Sequence, residues 1–231
     1  MCLCLELERN IMRLVTGSED GYRLSAQGGR AHLKEELERI DPQWTALVWP
    51  LQPGCDPDDA FSSVPYEKGF ALLCYLESLV GEGPFRAFAK KYIQQYKFGT
   101  ITSGEFRDFF CGHFSDRSEL RRLDWELLLC RPGPPSHPLP DLTNPLSQAA
   151  EALVERIRAY DLSPSAVQFD PIQEWPTEQK TLLLDLLLES PTALAEPTLH
   201  VLDSQFHLSA SNNAEVKFRW QMLCLKSGAD W

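Results

Sequence analysis

The sequence predicts a mainly α-helical fold, and three observations carry that prediction. Almost every periodic segment repeats its apolar residues at the 3.6-residue spacing of one helix face, as in Phe85, Phe88, Ala89, Tyr92, Ile93 and Tyr96. Two pairs, Thr102 with Glu105 and Asn212 with Glu215, have the spacing of a capping box, in which side chains serve the orphan N–H groups of a first helical turn. Strand-type alternation is scarce. The 231 residues suffice for one large core or two modest ones without a disulfide or metal staple, and 43% hydrophobic with 24% charged residues is an ordinary globular balance.

In chain order, a first helix is predicted over about 3–15 and a second over about 31–40. Between them, 17–29 holds four of the 13 glycines and little periodicity, and reads as a connection. Segments 70–80 and 182–188 are apolar nearly all round, the second broken by Asp185, so both should be buried among neighbours on several sides. Pro84 opens the stripe that runs to Tyr96, and Phe106, Phe109, Phe110 and Phe114 follow the Thr102 cap on another. Six prolines within 131–145 (RPGPPSHPLPDLTNP) remove donors and fix φ, which predicts an extended, stiff piece. Two domains, 1–130 and 146–231, would be joined by that linker. In the second, Leu146, Ala149, Ala150, Leu153, Val154 and Ile157 share a face, and Pro164, Pro171, Pro176, Pro191 and Pro197 punctuate helix pairs in the manner of an α-solenoid. The last helix would carry Val216, Trp220, Leu223 and Cys224.

Charge and composition exclude several roles. Lys plus Arg is 22 against 33 for Asp plus Glu, a net −11, opposite to the sign that tracks phosphates, so no nucleic-acid partner is expected. The longest apolar run, 70–76, is about a third of the roughly 20 residues a membrane helix needs, and no membrane partner is expected. Seven cysteines, at 2, 4, 55, 74, 111, 130 and 224, follow no disulfide or zinc spacing and read as buried thiols of a cytoplasmic protein. The N-terminus MCLCLELERN lacks the pattern of a signal peptide.

A search for chemistry is mostly negative. His32, His113, His137, His200 and His207 form no H-x-x-x-H pair, and each reads as a surface or capping residue. Neither G-x-S-x-G nor a P-loop occurs. One segment stands apart: CDPDDAFSSVPYEKG, 55–69, sets Asp56, Asp58 and Asp59 before a turn and Tyr66 at the start of a buried helix. A tyrosine hydroxyl at a helix start lies in a positive local potential and is placed to donate to a developing oxyanion. The plain alternative is a capped helix with an acidic loop.

At this segment the sequence resembles a known family. FSSVPYEKGFALLCYLESLVG is similar to the segment that follows the zinc-binding region in leukotriene-A(4) hydrolase, aminopeptidase B and their relatives, peptidase family M1. The likeness runs on through PFRAFAKKYIQQYKFGTITSGEFRDFF, LDWELLLCRPGPPSHPLPDL and SNNAEVKFRWQMLCLKS, and LELERNI resembles the tail of the helix that bears the family's third zinc ligand. The resemblance implies a zinc metalloaminopeptidase that removes N-terminal residues from peptide substrates, one branch also opening a lipid epoxide. It implies the helical end of a thermolysin-like catalytic domain followed by part of an armadillo-like C-terminal domain. Carried over by residue, Tyr66 matches the family's proton-donating tyrosine, Asp58 an acid of the substrate pocket and Glu8 a glutamate behind a zinc histidine. Phe61 stands where the hydrolase branch has a tyrosine beside the lipid. The HExxH helix would lie upstream of Met1, the third zinc ligand falls at Met1, and the chain stops at Trp231 before a basic pair that holds substrate carboxylates. The expectation is therefore a C-terminal piece that binds no zinc and is inactive alone; the alternative is a non-catalytic helical module that binds a protein partner through its second half.

Overall fold

A computed structural model describes residues 2–49, 56, 58, 61–163 and 167–229. Cys55, Asp59 and Pro164 lie outside the described residues. Among the described residues ten α-helices run α1 Cys2–Thr16, α2 Glu19–Arg39, α3 Val64–Val80, α4 Glu82–Tyr96, α5 Ser103–His113, α6 Trp125–Cys130, α7 Pro145–Leu162, α8 Thr177–Glu189, α9 Glu196–Phe206 and α10 Ala214–Lys226, with 3-10 turns at Pro42–Thr45 and Ser118–Arg122. No strand occurs among the described residues, and no helix there is long and apolar enough to cross a membrane. The chain divides into two compact units, Met1–Met12 with Gly29–Asp141, and Arg13–Gly28 with Leu142–Trp231.

The first unit is built on α3, whose residues Phe70–Cys74, Leu76 and Val80 are buried as their all-apolar sequence predicts. Its core centres on Phe88 of α4, with the rings of Phe110 at 5.1 Å, Phe109 at 5.7 Å and Phe114 at 5.9 Å. Offset and edge contacts of this kind contribute about 0.5–1.5 kcal/mol each beyond area burial. Helix α5 starts where its capping box says: Thr102 Oγ1 accepts from Glu105 N–H at 3.2 Å while Glu105 Oε2 accepts from Thr102 N–H at 2.7 Å. Ile93 of the α4 stripe is 41% exposed, at the stripe's edge.

In the second unit α7 packs on α8 and α9, and α8 on α10. Ala150, Leu153, Val154 and Ile157 of α7 meet Leu183, Leu184 and Leu187 of α8, Leu199 and Leu202 of α9, and Trp220 of α10 in one core. Residues 131–144 contain no helix, and Pro145 is the first residue of α7, where its missing N–H costs nothing because that group is an orphan anyway.

Three expectations need correction. Residues 19–29 are helical, part of α2, despite their glycines. The cap of α10 is Asn213, which accepts from Glu215 N–H at 2.9 Å and Val216 N–H at 3.3 Å, instead of Asn212 one residue earlier. The five cysteines whose side chains are described are free thiols but not uniformly buried: Cys74 and Cys224 are buried, Cys111 and Cys130 half-buried, and Cys4 exposed. Helix α1 is also turned inside out: Glu6 and Arg9 are 3% and 4% exposed, while Ile11, Met12, Leu14 and Val15 are 48–75% exposed.

Candidate functional site

Of the residues that sequence reasoning singled out, Tyr66 stands in the first turn of α3, Asp58 and Phe61 precede it in the chain, and Glu8 lies on α1. Proline at 65 presets the helical φ and spends no donor, and Tyr66 follows in the same turn, half-buried, its backbone N–H on Ser63 O at 3.0 Å. Ser63 gives no side-chain cap, so the turn is held by other means: Val64 N–H donates to Ser62 Oγ at 3.3 Å, and Ser63 N–H to Glu36 Oε2 of α2 at 3.4 Å. Upstream, Asp58 N–H donates to Asp56 Oδ1 at 3.0 Å and Phe61 N–H to Asp58 O at 3.1 Å. Asp58 is exposed, and Phe61 is 79% exposed. Glu8 lies on the exposed side of α1, and it is its neighbour Arg9 that joins α1 to α3.

That junction was not visible in the sequence. Arg9 Nη1 donates to Glu67 Oε2 at 3.0 Å and Nη2 to Glu67 Oε1 at 2.9 Å, a bidentate pair whose side chains are only 5% and 12% exposed. The guanidinium carbon stands 4.2 Å from the centroid of the Phe70 ring, a cation–π contact that the burial strengthens. Helix α2 passes so close at Gly29 that an added Cβ would overlap the Glu67 carboxylate and the Arg9 guanidinium. This explains the helical glycine: the position requires the absence of a side chain.

One residue further on, the buried Lys68 ammonium donates to three backbone carbonyls, Thr45, Arg131 and Gly133, each at 2.8 Å. Its three N–H groups are thereby matched one to one. Burial, with the nearby Arg131, pushes its pKa down from the ordinary lysine value to about 8. The histidines divide between roles. His207 does close a helix, in the left-handed conformation at φ 56°, and His32 and His200 are exposed. His137 instead stacks on Tyr75 of α3 at 4.8 Å and His113 packs edge-on against Phe114 at 4.7 Å, both held below the usual imidazole pKa by burial.

An apolar cavity of about 260 Å³ runs along α3, lined by Pro65, Gly69, Leu72 and Leu73 with Leu3 and Phe106 among others. Among the described residues no group of three or more His, Cys, Asp or Glu side chains is placed to hold a metal ion. Chemically, the arrangement offers a phenol on a helix start whose backbone is held by side chains from α1 and α2.

Comparison with known proteins supplies a context for that arrangement. Residues 31–121 match the model of the peptidase family M1 domain, and residues 175–230 that of the C-terminal domain of leukotriene A4 hydrolase. The chain is 39% identical to leukotriene A-4 hydrolase of Xenopus laevis over 232 residues, covering 96% of this chain and 37% of that protein. It is 31% identical to human aminopeptidase B over 214 residues, covering 88% of this chain and 33% of that protein. Among solved structures, yeast LTA4 hydrolase in complex with bestatin superposes with a TM-score of 0.85 at 25% identity, over 97% of this chain and 39% of that one. The chain thus spans a little over a third of the length of such relatives.

Proposed function

Because this chain belongs to peptidase family M1, in the company of leukotriene A4 hydrolase and aminopeptidase B, we propose that it supplies the tyrosine side of an aminopeptidase centre. In this reading Tyr66 donates a hydrogen bond to the oxyanion that forms when the carbonyl of a substrate's first peptide bond becomes tetrahedral. The exposed residues Asp58 and Phe61 border the place of the substrate's N-terminal residue. The observation that carries the reading is the position of Tyr66: it stands in the first turn of a 17-residue helix whose start is fixed by side chains from α1 and α2. A donor that is already aimed reorganises little as charge develops, and one such donor contributes about 10²–10³ in kcat.

The family implies zinc in its intact enzymes. The residues described here do not fit that ion, because they contain no metal-ligand cluster and Glu8 faces outward from α1. The metal ligands belong, in this proposal, to polypeptide outside these 231 residues, and Glu8 stands behind them. The chain alone then hydrolyses no peptide. Phe61, a ring without a hydroxyl, favours a peptide over a lipid epoxide as the substrate.

The test is a chimera of Xenopus laevis leukotriene A-4 hydrolase in which the matched segment is replaced by this chain. It should hydrolyse amino-acid amides, and Tyr66→Phe should lower kcat about 10²–10³-fold with KM nearly unchanged. A Tyr66→Phe chimera as active as its parent overturns the reading. The exposed stripe Phe218, Met222 and Leu225 on α10 supports a second reading, a non-catalytic helical module that holds a protein partner. A chimera that folds and retains zinc yet stays inactive would favour it.

A further inference from the structure

Three contacts grip the first turn of α3 around Tyr66, and none uses the tyrosine side chain. Ser63 N–H is bound by Glu36 of α2, the Glu67 carboxylate by Arg9 of α1, and the Lys68 ammonium by three carbonyls. The Arg9–Glu67 pair is the most exacting of these. It is bidentate, nearly closed off from water, stacked on Phe70, and sits in a slot that only a glycine at 29 leaves open.

As a source of stability such a pair is a poor choice. Taking both charges out of water costs several kcal/mol per ion, and apolar residues of similar volume often do as well or better. What a fork-to-fork carboxylate contact supplies that two leucines do not is direction, because two parallel hydrogen bonds are lost together on a small rotation. Glu67 and Tyr66 are consecutive on one helix, about 100° and 1.5 Å apart, so fixing one fixes where the other points. A phenol oxygen stands about 9 Å from the helix axis, so a 10° roll of α3 would carry it roughly 1.5 Å. A misplacement of that size costs on the order of 10²-fold in rate.

We infer that Arg9 and Glu67, seated under Gly29, are positioning residues that aim the Tyr66 hydroxyl; the inference rests on the reading of Tyr66 as oxyanion donor. The pair touches neither substrate nor reacting atoms and acts only through the roll and register of α3.

The experiment uses the full chain labelled with ring-¹³C tyrosine. Six tyrosines are present, and the Tyr66 signal is assigned by its loss in Tyr66→Phe. Arg9→Lys keeps the charge and removes the fork; the double variant Arg9→Met/Glu67→Met removes the pair but keeps its volume. Both should hold the wild-type helical signal by circular dichroism while the Tyr66 ring resonance shifts by more than its linewidth or broadens. Glu82→Gln, which breaks the exposed Arg86 pair on α4, should leave it in place. A Tyr66 resonance unchanged in Arg9→Lys, and in the double variant if that folds, overturns the inference and leaves the pair as a brace. In the chimera described above, Arg9→Lys should lower kcat by tenfold or more at constant KM. The tyrosine resonance needs no activity, so this inference can fail while Tyr66→Phe still abolishes turnover, and the reverse.

Discussion

Replacing Lys68 by methionine tests how the first unit ties its irregular segments to α3. The ammonium binds Thr45 O after α2 and the carbonyls of Arg131 and Gly133 after α6, all at 2.8 Å. Methionine leaves all three carbonyls without this donor, and an unsatisfied buried acceptor costs about 1–3 kcal/mol, so three sum to roughly 3–9 kcal/mol. Against this stands the burial of the charge. A pKa of about 8 in place of 10.5 means the protonated form carries a penalty of roughly 3 kcal/mol in the folded state. Lys68→Met should therefore destabilise by about 2–5 kcal/mol at pH 7, read by urea unfolding of the full chain. The pH dependence has a definite sign. Between about pH 8 and the ordinary lysine range the unfolded chain binds a proton that the folded one has released, so stability rises with pH there. Methionine does not titrate, so the gap between wild type and variant should widen across that window. A loss below 1 kcal/mol, or a gap that narrows as pH rises, would refute the reasoning: the first by making the clamp irrelevant, the second by showing that the carbonyls outweigh burial.

Thr102→Ala should cost about 1 kcal/mol through loss of the α5 cap. Glu105 accepts from Thr102 N–H and from the Thr102 hydroxyl, which hold its carboxyl below the usual range; its contribution is present above the unfolded glutamate pKa and should fade as pH falls through the lower folded value, an acid-side loss that Thr102→Ala, which keeps the N–H and drops the hydroxyl, should reduce without abolishing when followed by urea titration. Leu183→Ala, at a site 1% exposed in the second core, should destabilise by about 2–5 kcal/mol and lower the calorimetric transition of that unit. His207→Gly should raise stability by up to about 1 kcal/mol, because φ 56° strains any residue with a Cβ; a fall in the melting midpoint would mean the imidazole makes a contact that matters more.

What the sequence made legible was local. Thr102 with Glu105, the aromatic stripe after it and the prolines of 131–145 each act within a few residues, and each is found where its spacing puts it. The helical state of 19–29 was not legible, because its glycines read as a loop, whereas Gly29 is accounted for by a close approach to side chains from two other helices that no local pattern shows. The cap of α10 moved one residue because Asn212 and Asn213 are chemically equal candidates and only the backbone chooses between them. At the site, Tyr66 and Asp58 came into view as a tyrosine at a helix start behind a run of acids, and Phe61 and Glu8 through resemblance; none came through periodicity. Arg9 and Glu67 are 58 residues apart, and the partners of Lys68 are backbone carbonyls, which no side-chain pattern advertises. A helical glycine beside a charged segment was the one available clue.

The reversal of polarity along α1 bears on how substitutions there should be scored. Hydropathy scales would rank Glu6 and Arg9 as freely replaceable and would protect Ile11, Leu14 and Val15. The burial pattern inverts that ranking: the charged positions are the intolerant ones, and the aliphatic ones can be made polar with little change to the folding free energy of this polypeptide. Serine or glutamine at 11, 14 and 15 is thus a route to a better-behaved sample, whereas a leucine at position 6, however conservative it looks on an amphipathic wheel, would land in a pocket shaped for a carboxylate.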